Sequence, residues 1–311
     1  SRSQGIQNCH KRCGELKLQL AALTSDSEDD YIHWYETFAK HLNLNLTPLN
    51  IADPFISRMK RYECAWIFTS ATIAVNNHFH YFEKNLGIES PRSLQLESPF
   101  NFAEQALLYL PRNLPAPNSS RHTEVVVELS LPVLRASQGR AFLLFTSFRA
   151  LNEAAELLQN KLDYPLLVQG ELPRAQLLNT FRQHGNAILL GTNSFWEGVD
   201  VRGEALSCVI IDKLPFASPG DPILQARLQK MKEQGQDPFG EYQLPQAVIN
   251  LKQGVGRLIR HTNDRGVLMI CDPRLMTYSY GRVFLDSLPR MRYTQDLSEV
   301  QKFYTSLADI K

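Results

Sequence analysis

Apolar positions along the chain change their spacing several times, and each spacing predicts one kind of element. Residues 6–23 place leucines among polar residues in a pattern typical of a helix. Residues 31–51 contain alternating stretches that predict two or three strands, the last of them ending at Pro48. A short helix is predicted to begin at Pro54 and to end at about residue 63.

The run CAWIFTSATI, residues 64–73, begins with apolar side chains and ends in small hydroxyl residues. We interpret it as a buried parallel strand with a polar carboxyl end. A helix is predicted to follow as far as Leu86, with Gly87 as its C-cap. Pro- and Ser-rich segments then predict a domain transition near residues 90–101.

From Thr123 onward, strands rich in Val, Ile and Leu alternate with helices. The predicted strands cover residues 140–148, 165–170, 186–195, 205–216 and 265–274. The predicted helices cover residues 123–137, 149–162, 173–183, 222–233 and 244–259. This alternation predicts an α/β fold, in which a parallel sheet carries helices on both faces. The polar segments TSAT, FTSF, GTNSFWEGVD and DKLPF all follow predicted strands, where ligands of such sheets bind.

Composition places the chain among globular proteins and leaves its partner open. Of 311 residues, 43% are hydrophobic and 21% are charged, with a formal net charge of +1. No apolar run reaches the roughly 18–20 residues that a membrane-spanning helix needs, so a cytoplasmic protein is predicted. The five cysteines and eight histidines are scattered, so we predict ordinary reduced thiols and no metal site.

Four segments, in this order, resemble the late motifs of superfamily 2 helicases. FTSATI (68–73) resembles motif III and LLFTSF (143–148) motif IV, while LLGTNSFWEGVDV (189–201) resembles motif V and QGVGRLIR (253–260) motif VI. The FWEGVD form of motif V and the LPF…P.DP segment (214–222) are similar to the XPD/DinG branch. The resemblance implies a RecA-like second motor domain over residues 96–311, with a C-terminal helical tail. Residues 1–95 would be a remnant of the family's Arch insertion and first motor domain.

Three family features are missing from the sequence: the G-x-x-x-x-G-K-[ST] phosphate loop, the DEAH box and the iron–sulfur cysteines. All three precede motif III in the family, so we expect this chain to be the C-terminal part of a longer protein. The resemblance implies that ATP and Mg²⁺ are shared with the missing first motor domain. A 4Fe–4S cluster is expected only in that missing part.

The resemblance assigns the nucleotide-facing roles to motifs III, V and VI. Arg260 is the first choice for an arginine finger that stabilises charge on the γ-phosphate. If QGVGRLIR is helical, its spacing puts Arg260 on one face with Arg257 and Gln253. The alternative is a surface helix with two solvated arginines. The residues expected to bind ATP or couple its hydrolysis to movement are Glu197, Gly198, Asp200, Ser70 and Thr72.

The resemblance also implies contacts with single-stranded DNA at the polar strand ends. Hydroxyl and amide groups suit phosphates, and aromatic rings suit bases. The expected DNA-binding residues are Thr146, Ser147, Thr192, Ser194, Trp196, Lys213 and Phe216. Two alternatives stay open: Ser147 as a simple helix N-cap, and Phe195 as a buried wedge.

The resemblance implies a bacterial 5′-to-3′ DNA helicase acting in DNA repair or replication. Its implied partner is the chi subunit of the DNA polymerase III holoenzyme, although no spacing in the tail, residues 290–311, indicates this. More simply, the tail packs on the motor domain. One alternative is a helicase-derived partner-binding module without catalysis. A nuclease would need a cluster of acidic metal ligands, which the sequence lacks, and no motif distinguishes RNA from DNA.

Overall fold

The computed structural model describes residues 3–25, 30–192, 195 and 205–308. The chain divides into two compact units. The first comprises Ser1–Phe68, His80–Arg92 and Ala217–Tyr242, and the second comprises Thr69–Phe79, Ser93–Phe216 and Gln243–Lys311. The domain boundary expected between residues 95 and 96 stays a prediction.

The described elements alternate along most of the chain. The strands are β1 (Tyr31–Thr37), β2 (Leu42–Pro48), β3 (Ala106–Tyr109), β4 (Ala141–Leu144), β5 (Leu166–Val168), β6 (Ile188–Gly191), β7 (Cys208–Ile211), β8 (Gly266–Ile270) and β9 (Arg292–Thr294). The helices are α1 (Gln4–Thr24), α2 (Ala52–Met59), α3 (His80–Leu86), α4 (Phe102–Gln105), α5 (His122–Ala136), α6 (Phe148–Leu158), α7 (Arg174–His184), α8 (Pro222–Glu233), α9 (Leu244–Val255), α10 (Arg274–Thr277), α11 (Gly281–Ser287) and α12 (Leu297–Ala308). A π-helix, Phe239–Gln243, directly precedes α9.

In its described residues, the first unit contains an antiparallel hairpin and the α-helices α1, α2, α3 and α8. Strands β1 and β2 pair from Tyr31 opposite Pro48 onward, and the Trp34 indole Nε1 donates to Thr47 Oγ1 at 2.9 Å. Helix α3 ends at Leu86, and the next residue, Gly87, has a φ of +67°. This left-handed conformation is the one expected of the C-cap glycine that the sequence predicted. Among the described residues of this unit, only Leu224 is a buried hydrophobic side chain.

The second unit is built on a seven-stranded parallel sheet in the order β5-β6-β4-β7-β8-β3-β9. Side chains alternate between its two faces, as the period of a strand requires. In β4, Phe142 and Leu144 join one hydrophobic cluster while Ala141 and Leu143 join the other. Helices α7, α9 and α11 cover the first face, and α5, α6 and α12 cover the second. The predicted α/β class is therefore confirmed.

The C-terminal tail is part of this second unit. Strand β9 pairs with β3 at the edge of the sheet, and α12 buries Val300 and Phe303 against the second face. The Tyr304 hydroxyl donates to the carbonyl of Ser207 at 2.7 Å. The prediction that the tail packs on the motor domain is confirmed for these residues; Tyr293 is exposed, and the side chain of Leu307 lies outside the described part.

The predicted strand over residues 64–73 is wrong. This segment forms no ladder, and its apolar side chains face outward, with Ile67 84% and Trp66 44% exposed. A strand must satisfy its backbone N–H and C=O groups with a neighbour, and no strand in the described residues pairs with this one. The TSAT segment therefore does not lie at the end of a strand.

Among the described residues, no helix combines the length and apolar character needed to cross a membrane.

Candidate functional site

Thr192, Thr146 and Asp212 lie at neighbouring positions on the carboxyl edge of the sheet, because they follow the adjacent strands β6, β4 and β7. The Asp212 N–H donates to the carbonyl of Leu144 at 3.0 Å, which extends the pairing of β7 and β4 beyond the strand ends. After β4 the chain runs towards β5, and after β7 it runs towards β8 on the opposite side. Strands whose connections diverge in this way open a ligand crevice at their carboxyl ends.

The carboxylate of Asp212 holds the loop that carries Thr146. Asp212 is 2% exposed, and its Oδ1 accepts the Thr146 N–H at 3.1 Å, while its Oδ2 lies 3.5 Å from Thr146 Oγ1. Burial raises the pKa of Asp212 to about 7, although the neighbouring Lys213 and the Thr146 N–H lower it. The carboxyl therefore titrates near neutrality although it is buried beneath the Thr146 loop.

The hydroxyls expected to contact DNA also have structural partners. Ser147 Oγ accepts the Ala150 N–H at 3.2 Å and caps α6, so the simpler N-cap interpretation is confirmed. The Thr192 N–H and Oγ1 both donate to Gln169 Oε1, at 2.6 and 3.2 Å. Their roles in DNA binding stay predictions.

Lys213 and Phe216 follow β7 and differ in how accessible they are. Lys213 is half-buried. The Phe216 ring meets Tyr280 and Phe284 edge-on at 5.9 and 5.7 Å, and the Arg274 guanidinium lies 5.3 Å from its centroid. Packing on several sides leaves Phe216 less able to stack on a base than the sequence suggested.

Sequence reasoning missed two buried polar residues near this edge. Asp272 follows β8 and is 3% exposed; its Oδ2 accepts the Leu214 N–H at 2.8 Å and the Arg274 Nη2 at 2.7 Å. His122 Nε2 lies 3.1 Å from the carbonyl of Asp212, and burial lowers the pKa of His122. The CDPR segment carried a usable signal for Asp272, a carboxylate directly after an apolar strand.

The predicted helical face of motif VI is wrong because α9 ends at Val255. Gly254 and Gly256 weaken the helix at this point, since glycine has low helix propensity. Beyond Val255, Asp264 Oδ2 accepts the N–H groups of Arg260 and His261, both at 2.8 Å. A compact turn over residues 260–264, the motif VI turn, therefore positions the backbone of Arg260 in place of a helix.

This motif VI turn lies at the amino edge of the sheet. Gln105, directly before β3, donates from Nε2 to the carbonyls of His261, Thr262 and Asp264, directly before β8, at 3.2, 3.0 and 2.9 Å. Strands β3 and β8 are parallel neighbours, so both segments precede the sheet on the same side. The sheet therefore separates this turn from Thr146 and its neighbours.

The candidate nucleotide-facing side chains differ in exposure. Arg257 is 9% exposed, whereas Arg260 is half-buried. The Gln253 Oε1 is buried and has no hydrogen-bond partner among the described residues. In motif III, Ser70 Oγ lies 3.3 Å from Thr72 Oγ1 and accepts the Thr72 N–H at 3.1 Å.

Comparison with known proteins decides the family. The sequence profile of the helicase C-terminal domain matches residues 131–291, just over half of the chain. The chain belongs to the helicase C-terminal domain family.

Relatives of this helicase C-terminal domain include the ATP-dependent DNA helicase YoaA of Haemophilus influenzae, at 46% identity over 97% of this chain and 47% of YoaA. The protein named 3′-5′ exonuclease DinG, of Bacillus subtilis, is 34% identical over 87% of this chain and 30% of its own length. The chain thus spans less than half of either relative.

A solved structure of XPD helicase resembles the fold with a TM-score of 0.61 at 16% identity. The match covers 89% of this chain and 49% of the XPD chain. The resemblance to the XPD/DinG branch and the RecA-like fold are confirmed.

Only part of motif V lies within the described residues of this helicase domain. The candidates Ser194, Trp196, Glu197, Gly198 and Asp200 lie outside them. Their expected roles therefore stay predictions.

Phe195 is described, and it is a buried wedge, 1% exposed. A Cβ atom on Gly191 would lie 2.8 Å from Phe195 Cβ, so only glycine lets the ring pack against the end of β6. The Arg174 guanidinium lies over the Phe195 ring, with its Cζ atom 5.6 Å from the ring centroid. The buried interpretation of Phe195 is confirmed.

In the described part of this helicase domain, no three His, Cys, Asp or Glu side chains are grouped so that they could hold a metal ion. Cys9, Cys13 and Cys64 are exposed, and Cys208 and Cys271 are buried. These cysteines do not fit an iron–sulfur cluster.

Proposed function

We propose that this chain is the second motor domain of an ATP-dependent DNA helicase and forms the C-terminal part of a longer protein. The relative YoaA is named an ATP-dependent DNA helicase, and this chain spans 47% of it. The sequence contains no phosphate loop and no DEAH box. We therefore propose that the first motor domain supplies both.

The observation that carries this proposal is the separation of two polar sites by one sheet. Thr146, Thr192 and Lys213 mark the carboxyl edge, and the turn with Arg260 marks the amino edge. In the proposal, single-stranded DNA binds at the carboxyl edge, where hydroxyl groups and the Lys213 ammonium group suit phosphates. Nucleotide binds near the amino edge, so ATP and DNA do not compete for space.

The proposed nucleotide roles follow from exposure and chemistry. Arg260 is the better candidate for the arginine finger because it is half-buried, whereas Arg257 is largely buried. The buried Gln253 Oε1 is an acceptor, so its partner must be a donor such as the attacking water, while its Nε2 suits the γ-phosphate. Mg²⁺ and a 4Fe–4S cluster belong, in this proposal, to the preceding part of the protein. Glu197 and Asp200 keep their proposed coupling roles.

Movement from 5′ to 3′ and a role in repair or replication extend the proposal on the family resemblance alone. The chi subunit stays the proposed partner of the C-terminal region. Deleting residues 290–311 would remove β9 and α12, which pack on the sheet. Loss of partner binding after such a deletion would not separate docking from folding.

Lys213→Ala tests the DNA edge. Removing one phosphate contact is expected to weaken binding equally for different sequences and to reduce the slope of log K against log salt by about 0.7. Fluorescence anisotropy with two labelled single-stranded oligonucleotides, at several salt concentrations, measures both effects.

Lys302→Ala is the matched control, since Lys302 lies on α12 and pairs with Glu299 at 3.1 Å, 73% exposed. Lys302→Ala should bind single-stranded DNA with the same slope of log K against log salt as wild type. Equal slopes for Lys213→Ala and wild type would contradict DNA binding at this edge.

A further inference from the structure

The segment Thr69–Phe79, which contains motif III except for Phe68, belongs to the second unit although it forms no strand of the sheet. Val75 and His78 exchange N–H···O=C bonds of 2.9 Å in both directions. Between them, Asn76 and Asn77 have φ values of 48° and 62°. Positive φ at both central residues defines a tight two-residue turn, a conformation that asparagine tolerates.

Two side chains from different helices hold this turn. Lys252 Nζ donates to the carbonyl of Ala74 at 2.7 Å, and Ser287 Oγ accepts the Asn76 N–H at 2.9 Å. Ala74 is 8% exposed, so its carbonyl is largely removed from water. Burial also lowers the pKa of Lys252, so both groups of the first bond are withdrawn from solvent. Such a bond is costly to break because neither group regains full hydration.

The two contacts differ in what lies next to them. Lys252 is in the last turn of α9, one residue before Gln253 of motif VI. Ala74 lies two residues after Thr72 of motif III. Ser287 ends α11, which carries none of the motif residues. The Lys252 bond therefore joins the residue before motif VI to the residue after motif III, whereas the Ser287 bond only fixes the turn.

We propose that Lys252 is a positioning residue that couples motif VI to motif III, so that nucleotide-dependent movement at the end of α9 reaches Ser70 and Thr72. This inference rests on the proposed helicase function. When Gln253 or Arg260 engages nucleotide, any shift of the last turn of α9 moves the ammonium group, and the carbonyl of Ala74 follows. The bond thus links hydrolysis to strand separation.

Lys252→Met tests the coupling in the whole protein that includes the first motor domain. Methionine keeps a long aliphatic side chain and removes the donor. The number of base pairs unwound per ATP hydrolysed is expected to fall roughly twofold to thirtyfold, the range typical of residues that carry coupling. Unwinding of a fluorescent duplex and phosphate release are measured on the same samples, together with the melting temperature.

Two further variants separate coupling from folding. Lys252→Arg, which can still donate to a carbonyl, should restore most of the wild-type ratio. Ser287→Ala removes the other bond to the turn and should keep the wild-type ratio. An unchanged ratio in Lys252→Met would overturn the inference, as would a proportional loss of hydrolysis and unwinding together with a lower melting temperature.

The outcome for the wild-type protein separates this inference from the proposed function. If the wild-type whole protein neither hydrolyses ATP nor unwinds DNA, the helicase function itself fails. If it does both and Lys252→Met leaves the ratio intact, only the coupling role of Lys252 fails.

Discussion

If the proposed function is right, replacing Arg260 with alanine in the whole protein is expected to lower ATP turnover by about 10³-fold or more, the loss typical of an arginine finger. The guanidinium would stabilise charge that develops on the γ-phosphate in the transition state. KM for ATP should change far less than kcat, because the interaction strengthens mainly in the transition state. Steady-state phosphate release with saturating single-stranded DNA gives both constants.

Arg265→Ala is the control for this prediction. Arg265 lies just beyond the same turn, and its Nη1 donates to the carbonyl of Glu104 at 3.2 Å. Its removal should leave turnover within about threefold of wild type, because surface contacts of this kind contribute little. If Arg260→Ala keeps more than a tenth of wild-type turnover while binding DNA normally, Arg260 is not the finger.

The second large effect concerns Asp212 and pH. A buried acid whose folded pKa exceeds its unfolded pKa binds more protons in the folded state, so stability falls as pH rises. For Asp212 this pH window runs from the ordinary pKa of the carboxyl, 3.8, to its folded pKa of about 7. This difference corresponds to on the order of 4 kcal/mol. Asp212→Asn cannot ionise and still offers Oδ1 to the Thr146 N–H, so its stability relative to wild type should increase across this window.

Urea denaturation of wild type and Asp212→Asn between pH 4 and 8 measures the difference. His122 contributes in the opposite direction, because its lowered pKa favours the folded state as pH rises, but both proteins contain it. Lys213, Asp272 and Cys271 also face this carboxyl and are likewise common to both. A stability difference that does not change with pH would contradict the burial of an ionisable Asp212.

Thr146→Val is the control for the pH measurement. It removes the hydroxyl 3.5 Å from the Asp212 Oδ2 and keeps the main-chain N–H that donates to Oδ1. The carboxyl stays ionisable and buried in this variant. Its stability relative to Asp212→Asn should therefore decline between pH 4 and 7 much as that of wild type does.

Much of the fold could be predicted because local signals and packing agree. Helix α8 begins and ends at the predicted residues, since Asp221 caps it and Pro222 suits its first turn. Strands β4 to β8 were recognisable from apolar runs bounded by polar residues, whereas the short strands β3 and β9 were not predicted. The same rule failed at residues 64–73, because an apolar run does not specify the strand with which it pairs.

The individual residues of the candidate site could be predicted from the sequence, but the hydrogen bonds between them could not. Strand ends identified Thr146 and Asp212 separately, yet their bond joins residues 66 positions apart, which no local pattern encodes. The motif VI turn was mistaken for helix because its acceptor, Asp264, lies beyond the motif. The Lys252 contact with Ala74 spans 178 positions and depends on a turn that forms outside the sheet.

The most direct test of the account is ATP hydrolysis by this 311-residue chain and by the whole protein, each with and without single-stranded DNA. We predict hydrolysis that DNA stimulates in the whole protein and none above background in the chain alone, because the proposed function assigns the phosphate loop to the first motor domain. Robust hydrolysis by the chain alone would contradict its assignment as a second motor domain that acts on nucleotide held elsewhere.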